Sequence, residues 1–150
     1  MYPLFSALSF LAIAHCLGDE PALVSEQSWP RHIIDNSSRG ADGVKLGDLN
    51  NDGLPDVVTG WEEGFNTRIY LHPGKGKVTQ KWPSAIIGRT PSAEDAVFVD
   101  LNGDHYLDVV VSCDGKDQAI YLIFAPKNGE ILDSSQWTQI LLPGSKNMTR

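Results

Sequence analysis

A nine-residue pattern rich in aspartate occurs twice in this chain, at the same place in an internal repeat. Asp48-Leu49-Asn50-Asn51-Asp52-Gly53-Leu54-Pro55-Asp56 returns as Asp100-Leu101-Asn102-Gly103-Asp104-His105-Tyr106-Leu107-Asp108, a shift of 52 residues. Other landmarks keep the same order. Trp29-Pro-Arg-His-Ile33-Ile34 returns as Trp82-Pro-Ser-Ala-Ile86-Ile87, and more loosely as Trp137-Thr-Gln-Ile-Leu141-Leu142. Ile69-Tyr70-Leu71 returns as Ile120-Tyr121-Leu122, a shift of 51. A period of this length means stacked copies of one supersecondary unit, each incomplete without its neighbour.

Within one unit, short apolar and β-branched runs alternate with turn residues, which predicts strands. In the first they are Val44–Gly47, Asp56–Trp61, Arg68–His72 and Lys81–Ile87. In the second they are Ala96–Val99, Leu107–Cys113, Gln118–Phe124 and Gln136–Leu142. No stretch after the N-terminal segment shows helical periodicity. The expected fold is all-β, with antiparallel four-stranded β-propeller blades, about two of them. The units are residues 43–88 and 95–143, preceded by a flanking strand at 29–35. The tryptophans read as packing between strands and blades.

The loops point to a hard cation. Calcium takes six to eight oxygen ligands, and carboxylates at alternating positions of a tight loop can share one centre. The candidate metal ligands are Asp48, Asn50, Asp52 and Asp56 with the carbonyl of Leu54. In the second loop they are Asp100, Asn102, Asp104 and Asp108 with the carbonyl of Tyr106. Leu49 points away from the ligands and is expected to anchor its loop in the core. Gly53 follows the third ligand, where positive φ costs glycine little. His105 stands at the equivalent position, so the second loop is expected to be the more strained. An EF-hand is excluded: it needs Glu at position 12, occupied here by Thr59 and Val111, and helices on both flanks.

These two segments, Val44–Val58 and Ala96–Val110, resemble the FG-GAP or VCBS-type calcium-binding repeat, the blade type of integrin α-chain propellers. The resemblance covers roughly residues 29 to 144. It implies a propeller with two structural Ca²⁺ ions, each clamping the loop between a blade's first two strands. A propeller closes with about four blades or more. The chain is therefore expected to be part of a larger propeller, with further blades supplied by a longer chain or by self-association.

Charge and termini narrow the setting. The formal net charge is −7, which disfavours nucleic acid and anionic membranes as partners. Six of the 19 acidic residues lie in the loops, and two bound Ca²⁺ would bring −7 to −3. Residues 1–18 read as a signal peptide, with an apolar core at Leu4–Leu17 and no Lys or Arg before it. His15 argues against lipid attachment at Cys16. The expected location is secreted, extracellular or periplasmic, without stable membrane insertion. After removal of the signal, Cys113 is the only cysteine, in an apolar strand, and has no internal disulfide partner. Asn36 and Asn147 fit the glycosylation pattern.

Two functions remain compatible with these residues. The first is a non-catalytic adhesion, scaffolding or ligand-binding module that meets an extracellular protein or carbohydrate. The second is the propeller portion of a carbohydrate-active enzyme of lyase or dehydratase type. No nucleophile elbow, zinc helix, haem or phosphate-loop motif is present. His32, His72 and His105 lie in unrelated contexts, and Glu62-Glu63 and Glu94-Asp95 read as solvated loop charge. No catalytic residue is assigned.

Overall fold

The computed structural model describes residues 29–147. The signal peptide assigned to residues 1–18 lies outside the described residues. Two compact units are separated at Pro30, and the first contains only Trp29 and Pro30 among the described residues. Residues 31–150 form the second, in which all the strands lie.

The described residues contain two four-stranded antiparallel sheets and no α-helix. The first runs β1 (Ala41–Gly47), β2 (Asp56–Trp61), β3 (Asn66–Tyr70) and β4 (Ser84–Gly88). The second runs β5 (Ala93–Val99), β6 (Asp108–Cys113), β7 (Ala119–Phe124) and β8 (Thr138–Leu141). Each is an up-and-down meander in which every strand pairs with its sequence neighbour. This is the blade architecture expected from the repeat.

The sheets pack with β5 against β1 and β2. Glycines permit the close approach. A Cβ on Gly60 would lie 2.6 Å from the Ala93 Cβ, and one on Gly47 would lie 2.7 Å from the Phe98 ring. The core between the sheets contains Leu49, Val58, Ile69 and Ile87 from the first, and Ala96, Val109, Val111 and Ile123 from the second. Cys113 is buried there as a small apolar side chain. Lys45 on β1 reaches Asp95 on β5 at 2.8 Å across the exposed edge of the seam.

Register shows which face of each sheet is which. The cross-strand row Lys45–Val58–Ile69–Ala85 in the first sheet corresponds to Val97–Val110–Leu122–Ile140 in the second. The first row packs on the neighbouring sheet through its three apolar members. The second row faces away from that sheet, and Val97 and Ile140 are 43% and 42% exposed. Leu49 is 2% exposed, as expected of an anchor, whereas its counterpart Leu101 is 37% exposed. Both differences have one cause: the first sheet has a neighbour on that face and the second has none among the described residues.

Several expectations need correction. Residues 29–35 form no strand. Ile34 accepts a single backbone bond, from Trp82 N–H at 3.2 Å. Pro30 has no N–H to give, and the Asp35 carboxylate turns the chain by accepting from Ser37 N–H at 2.9 Å. Trp29 is 94% exposed, whereas Trp137 is buried in the core. The third strand stops at Tyr70 because His72 N–H is diverted to a carboxylate. The Ile-Tyr-Leu runs are not structural equivalents. Val58 pairs with Ile69 and Val110 with Leu122, so the true offset is two residues longer than the sequence match.

Candidate metal centre

Both nine-residue loops connect the first and second strands of their sheets, β1 to β2 and β5 to β6. Four hydrogen bonds recur at the same positions of both loops, and Gly103 N–H adds one to Asp100 Oδ1 at 2.7 Å in the second. In the first, Asp52 N–H donates to Asp48 Oδ1 (3.0 Å) and Asn50 Oδ1 (3.1 Å), so two candidate ligands point at one place. Gly53 N–H donates to Asp48 Oδ2 at 2.9 Å, and Leu54 N–H to Asp52 Oδ1 at 2.8 Å. In the second, Asp104 N–H donates to Asp100 Oδ1 (3.2 Å) and Asn102 Oδ1 (2.9 Å). His105 N–H reaches Asp100 Oδ2 at 3.0 Å, and Tyr106 N–H reaches Asp104 Oδ1 at 3.1 Å. Carboxylates that accept N–H bonds from residues ahead of them nucleate tight turns of this kind.

The ninth residue of each loop does something different. Asp56 is fully buried; its Oδ2 accepts from Leu49 N–H (2.9 Å) and its Oδ1 from His72 N–H (2.8 Å). Asp108 is equally buried and accepts from Leu101 N–H (3.1 Å) and Ala125 N–H (2.9 Å). Each carboxylate thus fastens the start of its own loop to the chain leaving the third strand. Burial pushes the Asp56 carboxyl above its ordinary range, against the N–H groups of His72, Leu49 and Asn50.

Backbone strain is shared differently from the sequence expectation. Each loop has two left-handed residues: Asn51 (φ 58°) and Gly53 (φ 80°) in the first, Gly103 (φ 75°) and His105 (φ 69°) in the second. Each loop therefore places one glycine and one non-glycine at these positions. Asn and His are among the side chains that tolerate this region best.

The donor set is all hard oxygen, which suits Ca²⁺ or Mg²⁺. Among the described residues, no three carboxylate, imidazole or thiol groups are already gathered as a cage. The second loop nonetheless holds an unsatisfied acceptor. Asp104 Oδ2 is buried without a hydrogen-bond donor. Lys127 Nζ lies 3.3 Å from it, near enough for an ion pair but not aligned as a donor. The counterpart Asp52 Oδ2 accepts from the Asn50 amide at 2.8 Å. Tyr106 N–H holds the Asp104 carboxyl below its ordinary range, against desolvation, and the Lys127 and Asn102 side chains add to the lowering. Partial desolvation raises Asp100, but the N–H groups of His105, Gly103 and Asp104 outweigh it and leave it lowered. An oxygen left without a donor, next to the lowered Asp100 carboxyl, fits a cation.

A second polar cluster was not visible in the sequence. Arg68 donates to Asp35 (2.8 Å) and Ser37 (2.6 Å), Tyr70 donates to Asp35 (3.0 Å), and Trp61 Nε1–H donates to the Tyr70 hydroxyl (2.9 Å). The Arg68 guanidinium also lies 5.2 Å from the Trp61 ring centre. An apolar cavity of about 180 Å³ adjoins this cluster. Burial raises Asp35, yet its bonds to Ser37, Tyr70 and Arg68 outweigh that and bring it to about 2. Burial pushes Tyr70 up to about 12. Asp35 and its partners Arg68 and Tyr70 are more than 30 residues apart, so no local motif announces them.

No solved structure matches this chain. Residues 48–111, which contain both aspartate loops and the strands between them, match the FG-GAP-like repeat.

Proposed function

We propose that the chain is a secreted calcium-binding propeller module with a non-catalytic adhesion, scaffolding or ligand-binding role toward an extracellular protein or carbohydrate. The observation that carries this reading is the hydrogen-bond net of the two loops, built twice on the same positions. One such turn is a common local device; the same one at corresponding points of two sheets indicates a shared use. Asp48, Asn50, Asp52 and Asp56 would hold one ion with the Leu54 carbonyl. Asp100, Asn102, Asp104 and Asp108 would hold the other with the Tyr106 carbonyl. Bound calcium supplies positive charge that offsets the crowded carboxylates and stiffens the loop. The uncovered row Val97–Val110–Leu122–Ile140 is read as the seat of a further blade, from a longer chain or another copy.

Titrating Ca²⁺ into the secreted form while following the thermal midpoint tests the reading. The midpoint should rise, two ions should bind per chain, and chelator should reverse the rise. The expected affinity is on the order of 10⁻⁴ to 10⁻³ M, as in extracellular modules. A midpoint indifferent to both calcium and chelator would overturn it.

A further inference from the structure

The two loops differ in what faces their third carboxylate. In the first loop, Asp52 Oδ2 is met by a neutral amide from within the loop, Asn50 Nδ2 at 2.8 Å. In the second, Asp104 Oδ2 is met by Lys127 Nζ at 3.3 Å, from outside the loop. Lys127 follows β7, and its segment is held in place by Ala125 N–H on Asp108 Oδ1. His72 N–H makes the same bond to Asp56 in the first sheet. Counting on from these equivalent residues, Lys127 corresponds to Gly74, which has no side chain to offer. The lysine side chain is 74% exposed, whereas that of Asp104 is 17% exposed. The ammonium can therefore withdraw into water without disturbing the fold.

Resting on the calcium reading, we propose that Lys127 is a tethered competitor for the cation of the second loop. Its charge occupies the place beside Asp104 Oδ2 that a divalent ion needs, and the ion must displace it. Without an ion, the same charge compensates Asp104 and keeps the loop ordered. Among the described residues, the first loop has no such ion pair. The second loop should thus be the weaker site, and it should need less from calcium to stay folded.

The test compares wild type with Lys127→Gln and with Lys116→Gln. The control removes an equal charge from the β6–β7 connection, at the opposite end of the sheet from the loop. The amide resonances of Gly53 and Gly103 report the two loops separately during a Ca²⁺ titration, and the thermal midpoint is read in chelator. Lys127→Gln should tighten the Gly103 transition by about two- to five-fold at low ionic strength, with the gain shrinking in high salt. It should leave the Gly53 transition unchanged and lower the midpoint in chelator. A change at Gly103 below about 1.4-fold, or an equal tightening by Lys116→Gln, overturns the proposal while leaving the calcium reading intact. If neither glycine titrates in wild type, the calcium reading fails and this proposal falls with it.

Discussion

At the scale of single residues, the loops depend on which side chains can take positive φ. A Cβ on Gly53 or Gly103 would meet nothing within 4 Å, so replacing either tests the backbone alone. Gly103→Ala is expected to lower stability by about 1 kcal/mol, and His105→Gly to raise it by somewhat less. Chemical denaturation of the calcium-free protein reads both; a stabilising Gly103→Ala would show that the loop does not hold this conformation. The sequence made one of the two left-handed positions legible, through the contrast between Gly53 and His105. The other, at Asn51 and Gly103, escaped because asparagine is at home in many conformations and its presence marks none. The candidate ligands themselves were legible, since their spacing is local.

At the scale of elements, buried carboxylates decide where strands begin and end. Asp56 and Asp108 take N–H groups that would otherwise extend a ladder or meet water, and β3 and β7 end beside them. The Asp35 cluster plays the same part for the segment ahead of β1, tying it to β3 through Arg68 and Tyr70. Asp35 has a folded pKa of about 2, below its ordinary 3.8. A lowered carboxyl stabilises the fold above its unfolded value and loses that contribution as pH falls through the folded one. Asp35→Asn should therefore cost about 2 kcal/mol near neutrality, and the difference from wild type should fade between pH 3.8 and about 2. Thermal midpoints across that range check it, and a gap independent of pH would show that the charge of Asp35 is not what matters.

At the scale of the whole molecule, two sheets of one design stack in one direction. The first packs one face on the second, and the corresponding face of the second has no neighbouring sheet among the described residues. Val58 and Val110 occupy the same register position, but the first is fully buried and the second half-buried. Val58→Ala should cost about 2 kcal/mol and Val110→Ala clearly less. Equal losses in denaturant unfolding would mean that the outer face of the second sheet is covered in solution.

The sequence by itself determined the all-β repeat, the strand count of each unit and the two oxygen-rich loops. These rest on periods and spacings within about ten residues, where chain geometry alone dictates which side chains meet. Tertiary structure alone decided the rest. It set the two-residue offset between β3 and β7, the exposure of Trp29 and Leu101, the Asp35–Arg68–Tyr70 cluster, and the approach of Lys127 to Asp104. Each of these joins residues far apart in the chain, or depends on whether a sheet face has a neighbour. Such contacts leave no local pattern to read, because their free energy is settled by the packing of sheets and not by neighbouring residues.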